Sequence, residues 1–132
     1  MAHLIPEERR VITAFDLDGV ELCPGPLREQ YLSTRDYFLA IPSDDMLFGF
    51  RQRVGLPSPG KAMGGWYSGD DREMWYSEGG GAHAFGQWLS AFSRMAQATS
   101  DTAMRDKALY LMKEWAKTID ADGFCASIGR SG

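Results

Sequence analysis

With 132 residues, 44% hydrophobic and 24% charged, the chain is the size of one ordinary globular domain and can bury a single core. A net charge of -4, with no basic stripe that could track a phosphate backbone, argues against a nucleic-acid partner. No apolar run approaches the length of a bilayer span, so no membrane partner is expected.

Met1 to Arg10 contain no apolar segment of the kind that opens a secretory leader, which points to the cytoplasm. Val11 to Leu22 then alternate loosely between apolar and polar residues around Asp18-Gly19. An Asp-Gly pair between two apolar stretches predicts a β-hairpin. Residues 1–23 are therefore expected to form an N-terminal extension and hairpin, and 24–132 a separate helical part. Cys23-Pro24-Gly25-Pro26 breaks the strand, and Pro26 suits the first turn of a helix, where a missing N–H costs nothing. Leu27, Tyr31, Phe38 and Ile41 fall near helical spacing, and Pro42 ends that helix. Ser43-Asp44-Asp45 is expected to cap a second helical stretch, Met46 to Val54, stopped by Gly55.

From residue 55 to 81 the character changes. Glycines and aromatics alternate through Gly64-Gly65-Trp66-Tyr67, Trp75-Tyr76 and Gly79-Gly80-Gly81, which predicts an ordered loop over a pocket. Two amphipathic helices follow. Phe85, Trp88, Leu89, Phe92, Met95 and Ala96 make one apolar stripe, and Met104, Ala108, Leu111, Met112, Trp115 and Ile119 make the other. Thr99-Ser100-Asp101 joins them, with Ser100 or Asp101 as N-cap, so the pair is expected to fold back as an αα-hairpin. Two helices cannot bury such wide stripes on each other alone. More chain is expected beyond Gly132, which follows no capping element.

Aromatic residues make up 12% of the chain. Flat rings stack on the C–H face of a sugar, although Trp and Tyr also fill cores. Cys23 and Cys125 lie far apart with no CxxC and no neighbouring His, so they read as free thiols and no metal site is expected from this segment.

Val11-Ile12-Thr13-Ala14-Phe15-Asp16-Leu17-Asp18-Gly19 resembles the opening motif of haloacid-dehalogenase-type phosphatases. There the first Asp attacks phosphorus and the second serves as acid/base from the same face of the strand end. In that alternative Asp16 and Asp18 would be the catalytic pair. The strand–helix alternation such a fold needs does not follow downstream, and the same letters serve a plain hairpin.

A longer series of blocks runs in order from Pro24 to Gly123. It comprises Gly25-Pro26-Leu27-Arg28-Glu29, Asp44-Asp45-Met46-Leu47-Phe48-Gly49-Phe50-Arg51, Gly64-Gly65-Trp66, His83-Ala84-Phe85-Gly86-Gln87-Trp88 and Asp122-Gly123-Phe124. Together these resemble the β-L-arabinofuranosidase family of glycoside hydrolases, family 127. The resemblance implies a mainly α fold, a partial (α/α)6 barrel of antiparallel helices following the hairpin. It also implies a carbohydrate substrate, with Trp66, His83, Gln87 and Arg51 as substrate contacts.

Two positions depart from the family pattern. Gly-His-x-x-Gly-His becomes Ala82 to Gln87, which keeps His83 but puts an amide in place of the second His. Gly-Gly-Trp-Glu becomes Gly64-Gly65-Trp66-Tyr67, which loses an acidic residue. Family members use a zinc-bound cysteine nucleophile and a glutamate acid/base, both downstream of the stretch matched here. The resemblance therefore implies that this segment contributes binding residues and not the catalytic groups, with no cofactor of its own. A third reading is a non-enzymatic helical module that binds through its aromatic loop. The oligomeric state is left open by the sequence.

Overall fold

A computed structural model describes residues 20–64 and 80–127. The architecture is mainly helical, with no strand among the described residues. Most of the hairpin expected over Val11–Leu22 lies outside them, and Val20, Glu21 and Leu22 belong to no strand.

Helix α1, Pro26–Ala40, begins with Pro26 at its first position, preceded by Gly25 at φ 151°, a conformation open to glycine alone. Its end is written in Ile41-Pro42. A residue before proline is pushed out of the helical region, and Ile41 sits at ψ 124°. The last carbonyls of a helix lack intrahelical donors, and here Lys107 Nζ supplies hydrogen bonds to Leu39 O at 3.2 Å and to Ile41 O. No residue of α1 is fully buried, and Leu27 is 71% exposed. Phe38 and Leu39 nonetheless reach the core edge, where the Phe38 ring meets Phe92 at 5.6 Å between centroids.

The single helix expected from Met46 to Val54 is two. Helix α2 spans Ser43–Met46 and α3 spans Phe48–Arg53, with Leu47 between them at φ -92°, ψ -6°. Met46, Leu47 and Phe50 are all buried, so the break rotates three apolar side chains into one core. Gly55, at φ 72°, closes α3 by donating to Gln52 O while Leu56 N donates to Arg51 O at 2.9 Å, the paired bonds of a glycine C-cap. The chain then returns over α2. Ser58 Oγ donates to Phe48 O and Lys61 N to Asp45 Oδ1, each at 3.0 Å. Gly60 lies so close that a Cβ there would stand 2.3 Å from Asp44 O.

Helix α4, Gly80–Thr99, and helix α5, Thr102–Ala116, form the αα-hairpin that the two stripes predict. The reversal uses Ser100 in the left-handed region (φ 54°) and Asp101 as N-cap, its Oδ1 accepting from Met104 N at 3.0 Å. Phe92, Met104 and Leu111 are fully buried between the helices, with Phe85, Trp88 and Ala108 beside them. Complete burial of one such side chain is worth roughly 1.5–3 kcal/mol. The second stripe is narrower than expected: Met112 and Ile119 remain exposed, and the helix ends before Ile119. Beyond it, residues 118–127 fold back onto α3 through a turn at Gly123 (φ 89°), bringing the Phe124 ring 5.1 Å from the Arg53 guanidinium.

Candidate functional site

Helix α4 has two faces. Ala84, Phe85, Trp88 and Phe92 turn inward, whereas His83, Gly86, Gln87, Ser90, Ala91 and Arg94 line a shallow open depression on the other side. Spacings of three and four residues put these groups on one helical stripe. Small residues at 86, 90 and 91 leave room between the polar ones. Within the stripe His83 and Gln87 are joined directly, Nε2 to Nε2, at 2.9 Å, and both are exposed. The structure thus brings together two of the residues expected in a binding role. Ser90 and Arg94 are additions. Their signal was available as polar or small residues at helical spacing on the face opposite the apolar stripe.

Arg51 sits elsewhere. It is 7% exposed, and its hydrogen bonds run to Asp44 Oδ1 (2.5 Å), Glu114 Oε2 (3.0 Å) and Tyr110 Oη (3.3 Å). Tyr110 in turn donates to Asp44 Oδ1, and Lys117 binds Glu114 Oε1 at 2.6 Å. Burial alone would lower the Arg51 pKa, but the bonds to Tyr110, Asp44 and Glu114 outweigh it and hold the group further into its charged form. Lys117 first, and Arg51 second, keep the Glu114 carboxyl below the usual range. The cluster ties α2 and α3 to α5. Asp44, read in the sequence as part of a helix cap, is an ion-pair partner of Arg51, and Asp120 pairs with Arg53 at 2.7 Å.

Trp66, together with Tyr67, Asp70 and Asp71, lies outside the described residues, as do Asp16 and Asp18 of the phosphatase-like motif. Gly64 is the last described residue before the aromatic loop and takes φ 76°. Cys23 is exposed and Cys125 half-buried, both as free thiols. Among the described residues no group of three or more His, Cys, Asp or Glu side chains converges in a way that could hold a metal ion, so they do not fit a zinc site. No helix among them is long and apolar enough to cross a membrane.

Set against known families, residues 19–132 match the model described as "Beta-L-arabinofuranosidase, GH127 catalytic domain". No curated protein and no solved structure matches the chain. The family match starts just past Asp16-Leu17-Asp18 and takes in α1 to α5, with His83, Gln87 and Arg51 inside it. Most of the chain is covered, and the chain belongs to the β-L-arabinofuranosidase family of glycoside hydrolases, family 127.

Proposed function

We propose that this chain supplies one wall of the sugar-binding site of a glycoside hydrolase acting on arabinofuranose-like sugars, with Trp66, His83 and Gln87 as substrate contacts. The observation that carries this reading is the hydrogen-bonded His83–Gln87 pair, exposed at the N-terminal end of α4 inside the stretch that matches the family. A sugar offers hydroxyl groups, and two polar side chains backed by small residues suit a flat polyol better than an apolar ligand. Arg51, the fourth residue expected to touch sugar, is buried against Asp44, Glu114 and Tyr110 away from that pair, and in this proposal it braces α2 and α3 against α5 instead. In this reading α4 and α5 are one hairpin of an (α/α)6 barrel.

A retaining or inverting glycosidase needs a nucleophile or base and an acid across the scissile bond. None of the described residues is proposed for those roles, and no catalytic step is placed on them. Titration of the chain with arabinofuranose-containing oligosaccharides, followed by tryptophan fluorescence, tests the proposal. Saturable binding that weakens about tenfold in His83→Ala, the worth of one lost hydrogen bond, is expected. Binding that is absent, or unaffected by that exchange, would remove His83 from the site.

A further inference from the structure

Helix α4 presents one outward row, His83, Gln87, Ser90 and Arg94, whose spacings of three and four residues stack them along one side of the helix. Arg94 closes the row, seven residues past Gln87 and so about 10 Å further along the axis. Its guanidinium is exposed and permanently charged. Arg35, Arg51 and Arg53 are each paired with a carboxylate, whereas Arg94 meets none among the described residues. The reason is written in the sequence. The chain has 18 Asp and Glu residues and a net charge of -4, yet α4 contains none of them, and no residue lining the depression is acidic. We infer that the ligand of this face is an acidic oligosaccharide, with the carboxylate of a uronic acid residue on Arg94. A solvated surface charge needs no partner, and Arg105 and Lys113 of α5 are exposed in that way. Arg94 differs in its place, since it shares one depression with the pair proposed to hold sugar. The guanidinium fork matches a carboxylate in shape as well as charge. Its separation from Gln87 assigns that carboxylate to a neighbouring sugar residue and not to the one on the pair. A net-negative chain repels acidic glycans, and a face without carboxylates is where one can approach. This assignment rests on the sugar-binding reading and names its substrate class.

The test pairs an arabinofuranose-containing oligosaccharide that carries one uronic acid residue with the same compound after its carboxyl is reduced to the alcohol. Each is titrated into the chain by calorimetry at low salt. The acidic form is expected to bind about fivefold tighter, the worth of one exposed charge-assisted contact. That ratio should shrink toward one as salt is raised, because exposed charges are screened. Arg94→Gln keeps a polar side chain at an exposed position and should abolish the ratio. Arg105→Gln removes the same charge from α5, off the row, and should leave the ratio intact. Equal binding of the two forms, a ratio that survives Arg94→Gln, or one lost equally in Arg105→Gln would overturn the inference and leave the sugar reading standing. Binding of neither form would remove that reading, and the acidic ligand with it.

Discussion

Asp101 holds one helix start in two ways. Oδ1 accepts from Met104 N, and Oδ2 pairs with Arg35 of α1. The Arg35 bond first, and the Met104 N–H after it, keep the carboxyl below its ordinary value of 3.8. Because the folded chain gives up this proton more readily than the unfolded one, the stabilisation is complete above that value. It is lost as pH falls through the lower folded pKa. Asparagine caps as well as aspartate but carries no charge. The stability gap between the native chain and Asp101→Asn should therefore be constant near neutral pH and close as pH falls below 3.8 and through the lower folded value, as read from urea midpoints. Asp101→Ala, which also removes the cap, should cost a further ~1 kcal/mol.

Arg51 is the second residue whose role is set by its partners. Removing it leaves Asp44 and Glu114 facing each other without their shared cation. Full burial would make that worth ~3–5 kcal/mol, but Asp44 is 41% exposed and can rehydrate. Arg51→Ala is expected to cost about 2 kcal/mol by chemical denaturation. The Arg51–Glu114 pair spans 63 positions and left no local trace in the sequence. The His83–Gln87 pair, four apart on a helix, was legible because that spacing fixes adjacency.

Among the elements, those ruled by local rules were the readable ones. Pro26 opened α1, Pro42 closed it, Gly55 capped α3 and Asp101 capped α5, each through backbone chemistry confined to a few residues. The α4 and α5 stripes were readable for the same reason, since a period of 3.6 is a property of the chain alone. The division of α2 from α3 at Leu47 was not. It places Met46, Leu47 and Phe50 against Phe85 and its neighbours, a choice made by tertiary packing and not by propensity.

Two glycines separate these influences experimentally. Gly60 touches the α2 backbone, and Gly60→Ala should cost about 1–3 kcal/mol because Asp44 O cannot move aside cheaply. Gly86, inside α4, has nothing within 4 Å of an added Cβ among the described residues. Gly86→Ala should stabilise by up to about 1 kcal/mol, the helix propensity difference. Thermal melts of both variants check the pair of signs, and a destabilised Gly86→Ala would mean that the face beside Gln87 is closed and not open.

At the scale of the molecule, apolar surface is left uncovered on the outer side of the hairpin. Leu109 and Met112 of α5 are 49% and 46% exposed beside a groove that also includes Ala96 and Ala108. Their joint replacement, Leu109→Gln with Met112→Gln, should reduce binding of a hydrophobic dye while leaving stability within about 0.5 kcal/mol, since neither side chain is in the core.

The His83–Gln87 face of α4 is where family membership and geometry meet. Side-chain NMR of the chain titrated with an arabinofuranoside bears most directly on the claim that His83 and Gln87 form a sugar-binding wall. The His83 ring and Gln87 amide signals are expected to shift together along one saturable curve, with Arg94 following. Shifts confined to residues away from α4, or none at any sugar concentration, would contradict it.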